Sequence, residues 1–294
     1  LYLKITHNIL NNIMMDLTII IVSFKSGKIL DRCLSSIDAK YPVIVVENSQ
    51  DQTLKLNLEK KYTNVKCFMT DENLGYGKAN NLGIEKARTK NVLILNPDTE
   101  LKKNTIEELE KFSSKNPDYA IIAPMIYNQI NKGDDNLNTN NSPYEVKEVK
   151  GFAVMMNKAV VTKIGLFDEN FFLYFEEIDL CRRVIKNKKK IYVVPSALVL
   201  HYGGKSHDKT FDFQMELSRN WHYMWSKYYF YKKHFGILLS IFKIFPNFIS
   251  SVIKFVLFSV LNKKNLKKIY FCRMNGIYNS MIGRKAWYRP QISQ

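Results

Sequence analysis

The sequence predicts an α/β fold with a mainly parallel sheet, and three short apolar runs are the main evidence. These runs cover residues 17–22, 43–46 and 92–95, and each is nearly continuous and rich in β-branched residues. Runs without polar alternation are typical of strands that are buried on both faces of a parallel sheet. Helix-like stretches separate the runs, and this alternation is the pattern of βαβ units.

The remaining elements follow in chain order. Helices are predicted over residues 28–39, 75–88 and 176–189, and a further strand over residues 191–194. The stretch 128–144 is rich in Asn, Asp and Gly, which predicts a mobile loop. From Phe211 onward the pattern predicts mostly helix, with no further signal for a parallel strand.

The chain of 294 residues is 46% hydrophobic, which is enough for one large domain or for one domain with an appendage. Its net charge of +17 is distributed unevenly. Residues 1–179 carry 22 Lys and Arg against 24 Asp and Glu, whereas residues 180–294 carry 22 against 3. The basic excess therefore belongs to the C-terminal part, which predicts contact with an anionic membrane surface or with nucleic acid.

The cysteines and the N-terminal residues argue for a reduced, cytoplasmic protein. The four cysteines are far apart and form no C-x-x-C pair, which disfavours a disulfide framework or a zinc site. The run 17–22 is too short for the apolar region of a secretory signal. Because Met14 and Met15 directly precede that run, residues 1–15 are predicted to be an extension without a function.

Polar residues follow each of the three apolar runs. They are Ser23 and Phe24 after the first, Glu47 and Asn48 after the second, and Asn96-Pro-Asp98 after the third. Ligands of open α/β sheets bind beyond the carboxyl ends of the strands, so these clusters predict one shared cleft. Ordinary strand-to-helix turns also favour such residues, and this alternative stays open for any one cluster.

Two residue types near this edge suit a metal ion. Mg²⁺ or Mn²⁺ on a diphosphate needs only one or two protein carboxylates, and Asp98 is a candidate. His201, in the segment His201-Tyr-Gly-Gly-Lys-Ser206, is a second candidate for metal or phosphate. A Pro-Asp turn and a lone histidine are more often structural, so neither residue decides the question alone.

Paired carboxylates open the predicted helix at residue 176. Glu177 shares a 3.6-residue stripe with Leu180 and Val184, which predicts that it points inward. An inward carboxylate at a helix N-terminus is positioned and kept ionised, as a general base requires. Glu176 and Asp179 are explained by the preference of acidic residues for the first helical turn. The aromatic residues 171–175 before them are predicted to line the site or to pack in the core.

The glycine-containing turn at residues 73–81 is a further candidate for anion binding. Its sequence Asn-Leu-Gly-Tyr-Gly-Lys-Ala-Asn-Asn leads into a helix, and helix N-termini favour anions. It has neither the P-loop spacing nor G-x-G-x-x-G, which excludes a Walker or dinucleotide-binding site at this turn.

Together these segments resemble family 2 glycosyltransferases, in particular the rhamnosyltransferase-like branch. The segments that carry the resemblance are Val22-Ser-Phe, Glu47-Asn-Ser, Glu72-Asn-Leu-Gly-Tyr-Gly-Lys-Ala-Asn-Asn81, Leu95-Asn-Pro-Asp98, Phe172-Leu-Tyr-Phe-Glu-Glu-Ile-Asp-Leu180 and His201-Tyr-Gly-Gly-Lys-Ser206. They run in the family's order from about Leu17 to Trp221, and six ordered motifs are more specific than any one of them.

The resemblance implies a GT-A fold, with its Rossmann-like, mainly parallel sheet flanked by helices, and inverting transfer from a nucleoside-diphosphate sugar. It implies that Asp98 holds Mg²⁺ or Mn²⁺ on the diphosphate and that Glu177 deprotonates the acceptor hydroxyl. The implied donor-binding residues are Ser23, Phe24, Glu47, Asn48, Asn73, Gly75, Asn80, Asn96 and Asp98. The implied acceptor-side residues are Glu176, Tyr174 and Arg219.

The sequence departs from the family pattern at three positions. Glu47 stands where Asp is usual, which predicts a change in nucleobase preference. Asn96 replaces the first Asp of D-x-D and leaves one carboxylate for the metal. Glu176-Glu177 replaces the usual Glu-Asp, so the base carries an extra methylene.

The predicted organisation is an extension over 1–15, a GT-A-like domain over 16–210 and a basic, aromatic-rich helical tail over 211–294. The acceptor is predicted to be a glycan or a lipid-linked glycan in cell-surface polysaccharide synthesis, with rhamnose as one candidate sugar. Nucleic-acid binding through the tail and a catalytically inactive sugar-nucleotide sensor are the alternatives, although no nucleic-acid motif is present.

The tail predicts a peripheral position at the inner face of the cytoplasmic membrane. Residues 235–261 are almost wholly apolar, and Pro246 is predicted to divide them into two short helices. The longest uninterrupted stretch, 255–261, is far shorter than the roughly 20 residues of a spanning helix. Flanking lysines suit a helix in the interface of an anionic bilayer. Packing on the catalytic domain or a homodimer interface is the alternative.

Overall fold

The computed structural model describes residues 16–127, 142–203 and 209–290, and their fold is α/β, as predicted. Nine strands form one mixed sheet in the order β3-β2-β1-β4-β8-β6-β9-β5, with β7 paired to β9. The strands are β1 Leu17–Ser23, β2 Val43–Glu47, β3 Val65–Met69, β4 Asn91–Leu95, β5 Thr99–Leu101, β6 Tyr119–Ile126, β7 Tyr144–Glu145, β8 Ala153–Asn157 and β9 Lys190–His201. Residues 128–141 of the predicted loop at 128–144 lie outside the described residues.

The first four strands form the parallel half of the sheet. In β1, Ile21 pairs with Val45 of β2 and with Leu95 of β4, so these strands end at the same edge. Beyond β4 the sheet becomes mixed, because β8 runs antiparallel to both β4 and β6. This register brings the carboxyl ends of β1, β2 and β4 together, where the sequence predicts a shared cleft.

Helices cover both faces of the sheet. The first six are α1 Gly27–Ser35, α2 Gln52–Lys61, α3 Tyr76–Lys86, α4 Thr105–Lys115, α5 Lys158–Ile164 and α6 Glu176–Lys186. Residues of α1, α2 and α4, such as Leu30, Leu58 and Leu109, pack in the core on one face. Residues of α3, α5 and α6, such as Ile84 and Leu180, pack in the core on the other face.

The predicted elements differ from the observed ones mainly at their ends. The helix predicted over 28–39 covers Gly27–Ser35, and the strand predicted over 191–194 extends over Lys190–His201. One prediction for α6 is wrong, namely that Glu176 and Asp179 are explained by the preference of acidic residues for a first helical turn. Glu176 and Asp179 are buried, whereas Glu177 is half-buried at the edge of the stripe. Their burial requires more than the ordinary preference of acidic residues for a first turn.

The C-terminal residues form three long helices, α7 Asp212–Phe235, α8 Ile237–Val260 and α9 Lys264–Met281. They pack on the sheet domain, because Trp221 and Trp225 of α7 share a core with Phe172. Burial lowers the pKa of His222 to about 3, and its ring stacks on Phe172 at 4.3 Å. The aromatic residues of α7 that are buried, Trp221, Trp225, Tyr228 and Phe230, therefore belong to the interior of the fold.

An ion-pair network joins the end of α7 to α6. The Asp179 carboxylate is fully buried and lies 2.8 Å from Arg183 Nε, 2.8 Å from His234 Nε2 and 2.6 Å from Lys233 Nζ. Lys233 Nζ also lies 2.7 Å from Asp168. Lys233 therefore pairs with two carboxylates of the fold while it stays partly exposed to solvent.

The prediction that Pro246 divides the apolar segment into two short helices is wrong, because α8 is one helix of 24 residues that contains Pro246. Pro246 removes one amide donor from the helix. Packing holds the helix on both sides of this position: Ile244 is in a core with Met224, and Phe248 packs against the same core. The helix is thus long and apolar enough to cross a bilayer by length and composition alone.

Most of the apolar surface of α8 faces outward. Only 11% of its most apolar stretch of 18 residues is buried. Leu238 is 86% exposed, Phe242 73%, Ile253 60% and Val260 80%. Spacings of three, four and seven residues place such side chains on one face, which forms a continuous apolar stripe along the helix.

Candidate active site at the carboxyl edge of the sheet

Two cavities lie on either side of the turn that follows β4. The first, of about 160 Å³, is lined by strand-end residues that include Phe24, Asn48 and Asn96. Met215 and Ser218 of α7 and Pro290 also line it, so the C-terminal part of the chain covers this cavity. The second, of about 510 Å³, is lined by Asp98, and Pro97 belongs to both.

Buried polar atoms without partners are concentrated at this edge. In the described parts of the chain, seven buried side-chain oxygen or nitrogen atoms have no hydrogen-bond partner. Six of them belong to Ser23, Asn80, Asn96, Asp98, Glu176 and Glu177, which are all predicted site residues, and the seventh is Nδ1 of His222. Leaving such a group unsatisfied costs about 1–3 kcal/mol, so a concentration of them indicates a ligand site.

The loops after β2 and β3 are joined by Asn48. Its side-chain amide donates to Asn73 Oδ1 at 3.0 Å and to the Gly75 carbonyl at 3.3 Å. Its Oδ1 accepts from the Leu74 amide at 2.9 Å and from the Thr70 hydroxyl at 3.0 Å. These four bonds use the hydrogen-bonding capacity of the Asn48 side chain, so its part in the cleft is to hold the wall in place.

Glu47 has a similar structural part after β2. Its buried carboxylate accepts from the Ser49 amide at 3.0 Å, from the Ser49 hydroxyl at 2.5 Å and from the Asp51 amide at 2.9 Å. Direct contact with a nucleobase, which the resemblance implies, would compete with these bonds. Glu47 therefore shapes the turn that borders the cleft.

The turn before α3 approaches the aromatic segment closely. Gly75 has a φ of 80°, and a Cβ atom at this position would overlap the Phe172 carbonyl and ring. The Tyr76 amide donates to the same carbonyl at 2.8 Å. Glycine is required here both for the left-handed backbone and for this approach. The contact fixes the residues before α6 against the floor of the cleft.

Asp98 and His201 form the part of the site that suits a metal ion. Antiparallel pairing of β5 with β9 places Thr99 opposite His201, and His201 Nε2 lies 3.7 Å from Asp98 Oδ1. Burial lowers the pKa of His201 and outweighs the opposing charge of Asp98, so the imidazole is neutral and able to coordinate. Its ring stacks on Phe152 at 4.3 Å, which fixes its orientation.

The donor set fits a divalent cation that a diphosphate helps to hold. Asp98 is 3% exposed, and its Oδ1 accepts no hydrogen bond from the described residues. Within residues 16–127, 142–203 and 209–290, no group of three His, Cys, Asp or Glu side chains could hold a metal ion. One carboxylate and one imidazole leave most of a coordination shell to phosphate oxygens and water, as is usual for Mg²⁺.

A strained turn positions the carboxylate pair. Tyr174 and Phe175 both have a φ of 70°, a conformation that is uncommon for residues other than glycine. The Ser226 hydroxyl of α7 donates to the Leu173 carbonyl at 2.9 Å and holds the turn from the other side. Backbone strain of this kind is found at functional sites, where the surroundings enforce it. The turn places Glu176 and Glu177 at the N-terminus of α6, within electrostatic range of Tyr76, which lines the first cavity.

The two carboxyl groups lie in different environments. Burial is the main cause that raises the pKa of Glu176 well above its usual value, and the nearby charge of Glu177 raises it further. Burial also raises the pKa of Glu177, while its own amide and that of Ile178 oppose the shift. Burial thus favours the protonated form of both groups, and the amides of Glu177 and Ile178 favour the ionised form of Glu177.

The acceptor-side residues named from the resemblance also lie together. Burial raises the pKa of Tyr174, and the charge of Arg219 opposes the shift while those of Glu176 and Glu177 add to it. The four side chains are thus within electrostatic range of each other. Tyr223 of α7 contacts Tyr174 with ring centroids 5.7 Å apart, and nothing in the sequence pattern singles it out.

The predicted donor-binding residues divide into two groups. Phe24, Asn48, Asn73, Gly75 and Asn96 line the first cavity. Ser23, Glu47 and Asn80 are fully or almost fully buried beneath its wall, and Asp98 lines the second cavity. The lining residues of α7 and Pro290 could not be predicted, since they reach the site only through tertiary packing.

A central, mostly parallel sheet flanked by helices, with cavities and polar side chains at the carboxyl ends of its strands, is the arrangement of the GT-A class of glycosyltransferase folds. The family model "Glycosyl transferase family 2" matches residues 18–181. The chain belongs to this family, which confirms the resemblance. Cavities and unpartnered atoms lie largely within the matched region.

Two characterised relatives support this assignment. The chain is 30% identical over 195 residues to the low-salt glycan biosynthesis hexosyltransferase Agl10 of Haloferax volcanii, covering 57% of this chain and 61% of that protein. It is 24% identical over 238 residues to the N-acetylglucosaminyl-diphospho-decaprenol L-rhamnosyltransferase of Mycobacterium tuberculosis, covering 65% and 77%. The chain thus spans about three-fifths of the length of the Haloferax enzyme.

Solved structures confirm the GT-A fold. The mannosyltransferase PcManGT from Pyrobaculum calidifontis, in complex with GDP-Man and Mn²⁺, has a TM-score of 0.57 at 12% identity and covers 91% of this chain and 85% of that one. At this identity the likeness concerns the fold alone.

Proposed function

We propose that the protein is an inverting glycosyltransferase that moves a sugar from a nucleoside-diphosphate donor to a lipid-linked glycan. The observation that carries the proposal is the set of six unpartnered buried oxygens at one sheet edge. They divide between the donor side, with Asn96 and Asp98, and the acceptor side, with Glu176 and Glu177. A two-substrate displacement needs both groups.

The residues of the site would act as follows. Strand-end residues that line the first cavity, such as Phe24 and Asn96, hold the nucleotide there, and Asn48 keeps the wall of that cavity in place. Glu177 faces the acceptor. Glu177 takes the proton from the acceptor hydroxyl as its oxygen bonds to the anomeric carbon. The bond from that carbon to the diphosphate breaks, and its electron pair leaves with the nucleoside diphosphate. Attack on the face opposite the leaving group inverts the anomeric centre.

Asp98 and His201 would hold Mg²⁺ or Mn²⁺ on the donor. Such an ion, when bound, neutralises negative charge on the diphosphate. The relevance of Mn²⁺ is supported by its presence in the Pyrobaculum complex, whose fold this chain shares.

A donor screen tests the proposed activity. Release of nucleoside diphosphate is measured from a panel of UDP-, GDP- and dTDP-sugars, with membrane lipid extract as the acceptor. We expect one donor class to be consumed, with turnover that requires Mg²⁺ or Mn²⁺ and is abolished by a chelator. Binding of donors without any release would identify the inactive sensor instead.

We also propose that α8 lies in the surface of the cytoplasmic membrane leaflet. Its exposed stripe supplies a large apolar face, and Lys263, Lys264, Lys267 and Lys268 follow it. Lysines near an anionic surface contribute about 1 kcal/mol each to binding. The name of the mycobacterial relative specifies a diphospho-decaprenol acceptor, and an acceptor of this kind is presented at a bilayer.

The packing of α8 favours a surface position over a spanning one. Near its midpoint, the Lys227 ammonium donates to Asn247 Oδ1 at 2.7 Å, and Arg273 Nε donates to Ser251 Oγ at 3.4 Å. A spanning α8 would carry these cations from α7 and α9 into the hydrocarbon region, at about 2.5–3.5 kcal/mol for each by insertion scales. In an interfacial helix they remain on the side of the protein.

Flotation of the full chain with liposomes tests this position. We expect binding to anionic vesicles that weakens with salt. The double change Leu238→Gln and Phe242→Gln should weaken it about a hundredfold, because each side chain contributes about 1.5 kcal/mol or more when buried. The control Leu56→Gln removes an exposed leucine from α2 and should bind like the wild type.

Two results would contradict the membrane proposal. One is equal flotation of the wild type and the double variant. The other is a wild-type homodimer in solution that the same double change dissociates, which would make the stripe of α8 a subunit interface.

A further inference from the structure

A groove between α6 and α7 is separate from the two cavities described above. Its volume is about 670 Å³. Three basic side chains line it, Lys147, Arg182 and Lys186, and Glu148 is its one acidic lining residue. The other side chains of the lining are mostly aromatic and include Phe175, Phe230 and Phe235. Lined in this way, the groove suits a ligand that is both anionic and apolar.

One end of the groove lies beside the proposed base. Phe175, which lines the groove, directly precedes Glu176 and Glu177. The charge of Glu148, also in the lining, raises the pKa of Glu177, so the two carboxylates are within electrostatic range. A ligand in the groove would therefore have one end close to the acceptor position.

The other end of the groove lies at the beginning of α8. Phe235 is the last residue of α7, and Gly236, with a φ of 85°, separates it from Ile237. The ring of Phe235 is 43% exposed, and the guanidinium carbon of Arg182 lies 4.2 Å from its centroid. The groove thus leads from the base to the helix that we place in the membrane surface.

The charge of the groove matches a diphosphate. Its three cations and one carboxylate leave a net charge of two positive charges, which balances the two negative charges of a diphosphate esterified at both ends. Arg182 and Lys186 lie one helical turn apart on α6 and can bind successive phosphates. Phe230 and Phe235 offer an apolar surface to the first units of an attached lipid.

We propose that this groove binds the diphosphate and the adjoining lipid of a polyprenyl-diphosphate-linked acceptor. The inference rests on the proposed function, because it assigns the acceptor of that reaction a binding site. The acceptor sugar would then extend to Glu177, while the lipid follows Phe235 to the bilayer.

Binding of farnesyl diphosphate to the full chain tests the groove without any turnover. We expect Arg182→Gln with Lys186→Gln to weaken binding at least tenfold by calorimetry, since charge-assisted bonds to both phosphates are lost. The affinity for farnesol, which lacks the diphosphate, should not change. The control is the double change Lys103→Gln and Lys115→Gln. Lys103 precedes α4 and Lys115 ends it, on the opposite face of the sheet, so this variant should bind like the wild type.

The outcomes separate this inference from the proposed function. If Arg182→Gln with Lys186→Gln binds farnesyl diphosphate like the wild type, the proposed acceptor site in the groove is wrong. The proposed transferase function is not contradicted by that result. Loss of flotation on anionic phospholipid vesicles by the same variant, with farnesyl diphosphate binding intact, also overturns the proposed acceptor site, because the cations would then bind headgroups. Wild-type binding that the variant loses supports the groove even where the donor screen finds no transfer.

Discussion

The substitution Glu177→Gln is expected to reduce glycosyl transfer by roughly a hundred- to ten-thousand-fold, the usual cost of losing a general base. The amide keeps the shape of the side chain but cannot accept the proton of the acceptor hydroxyl. Donor affinity should remain close to that of the wild type, because the first cavity is lined by other residues. Steady-state transfer and calorimetric binding of the nucleoside diphosphate measure the two quantities separately.

Glu176→Gln is the matched control for this experiment. Burial favours the protonated form of Glu176, and a neutral amide closely resembles a protonated carboxyl group, so we expect a small effect. A crippled Glu176→Gln together with a nearly normal Glu177→Gln would show that the two roles are reversed.

The pH profile provides an independent measure of the same assignment. The base must be ionised, so transfer should fall as the pH drops through the raised pKa of Glu177. This acid limb should lie above the usual range of a glutamate and should disappear in Glu177→Gln. An unchanged acid limb in the variant would assign it to another group.

The substitution Asp98→Ala is expected to abolish metal-dependent turnover. The change removes the only carboxylate of the proposed metal site, and leaving-group stabilisation worth several kcal/mol is lost with the ion. A loss of about 4 kcal/mol corresponds to roughly a thousandfold in rate. The melting temperature should change little, because Asp98 Oδ1 accepts no hydrogen bond from the described residues.

Two further variants distinguish charge from shape at Asp98. Asp98→Asn retains the volume of the side chain and should be nearly as inactive as alanine. Glu100→Gln alters a carboxylate of β5, two residues further along the chain, that is already paired with Arg32 and Tyr202, so turnover should stay close to normal. Binding of Mn²⁺ in the presence of nucleoside diphosphate should be lost only at position 98. Near-normal turnover of Asp98→Ala would contradict the metal assignment.

The parallel half of the sheet could be predicted because its strands are buried on both faces. Continuous β-branched runs are required there, and β1, β2 and β4 all have them. By contrast β3, with an exposed Lys66 beside a buried Cys67 at the edge of the sheet, has no such run. The antiparallel strands β6 and β8 depend on neighbours that are distant in sequence, so no local pattern indicated them.

The polar residues of the candidate site were predicted more completely than the residues that line its cavities from the C-terminal part of the chain. Residues at strand ends and helix N-termini are fixed by local order, and six of them prove to hold unpartnered buried atoms. The burial of Glu176 could not be predicted, since it involves a contact with Gly77 of α3, which is distant in sequence. The cover formed by Met215 and Pro290 depends on how the C-terminal helices pack.

The continuity of α8 was not predictable from Pro246 and the local composition. A proline inside a helix removes a hydrogen bond, and the sequence rule therefore ends the helix there. In the folded chain, α7 and α9 support α8 before and after that position and outweigh the loss. The polar contacts of Asn247 and Ser251 lie on this supported side, which leaves the apolar stripe outside.

The anomeric configuration of the product tests the central claim most directly. The donor selected by the screen is incubated with the full chain, a divalent cation and the lipid-linked acceptor, and the new linkage is examined by NMR. Single displacement assisted by Glu177 predicts a product whose anomeric configuration is opposite to that of the donor. A product that retains the configuration of the donor, or release of free sugar without any transfer to the acceptor, would contradict the account.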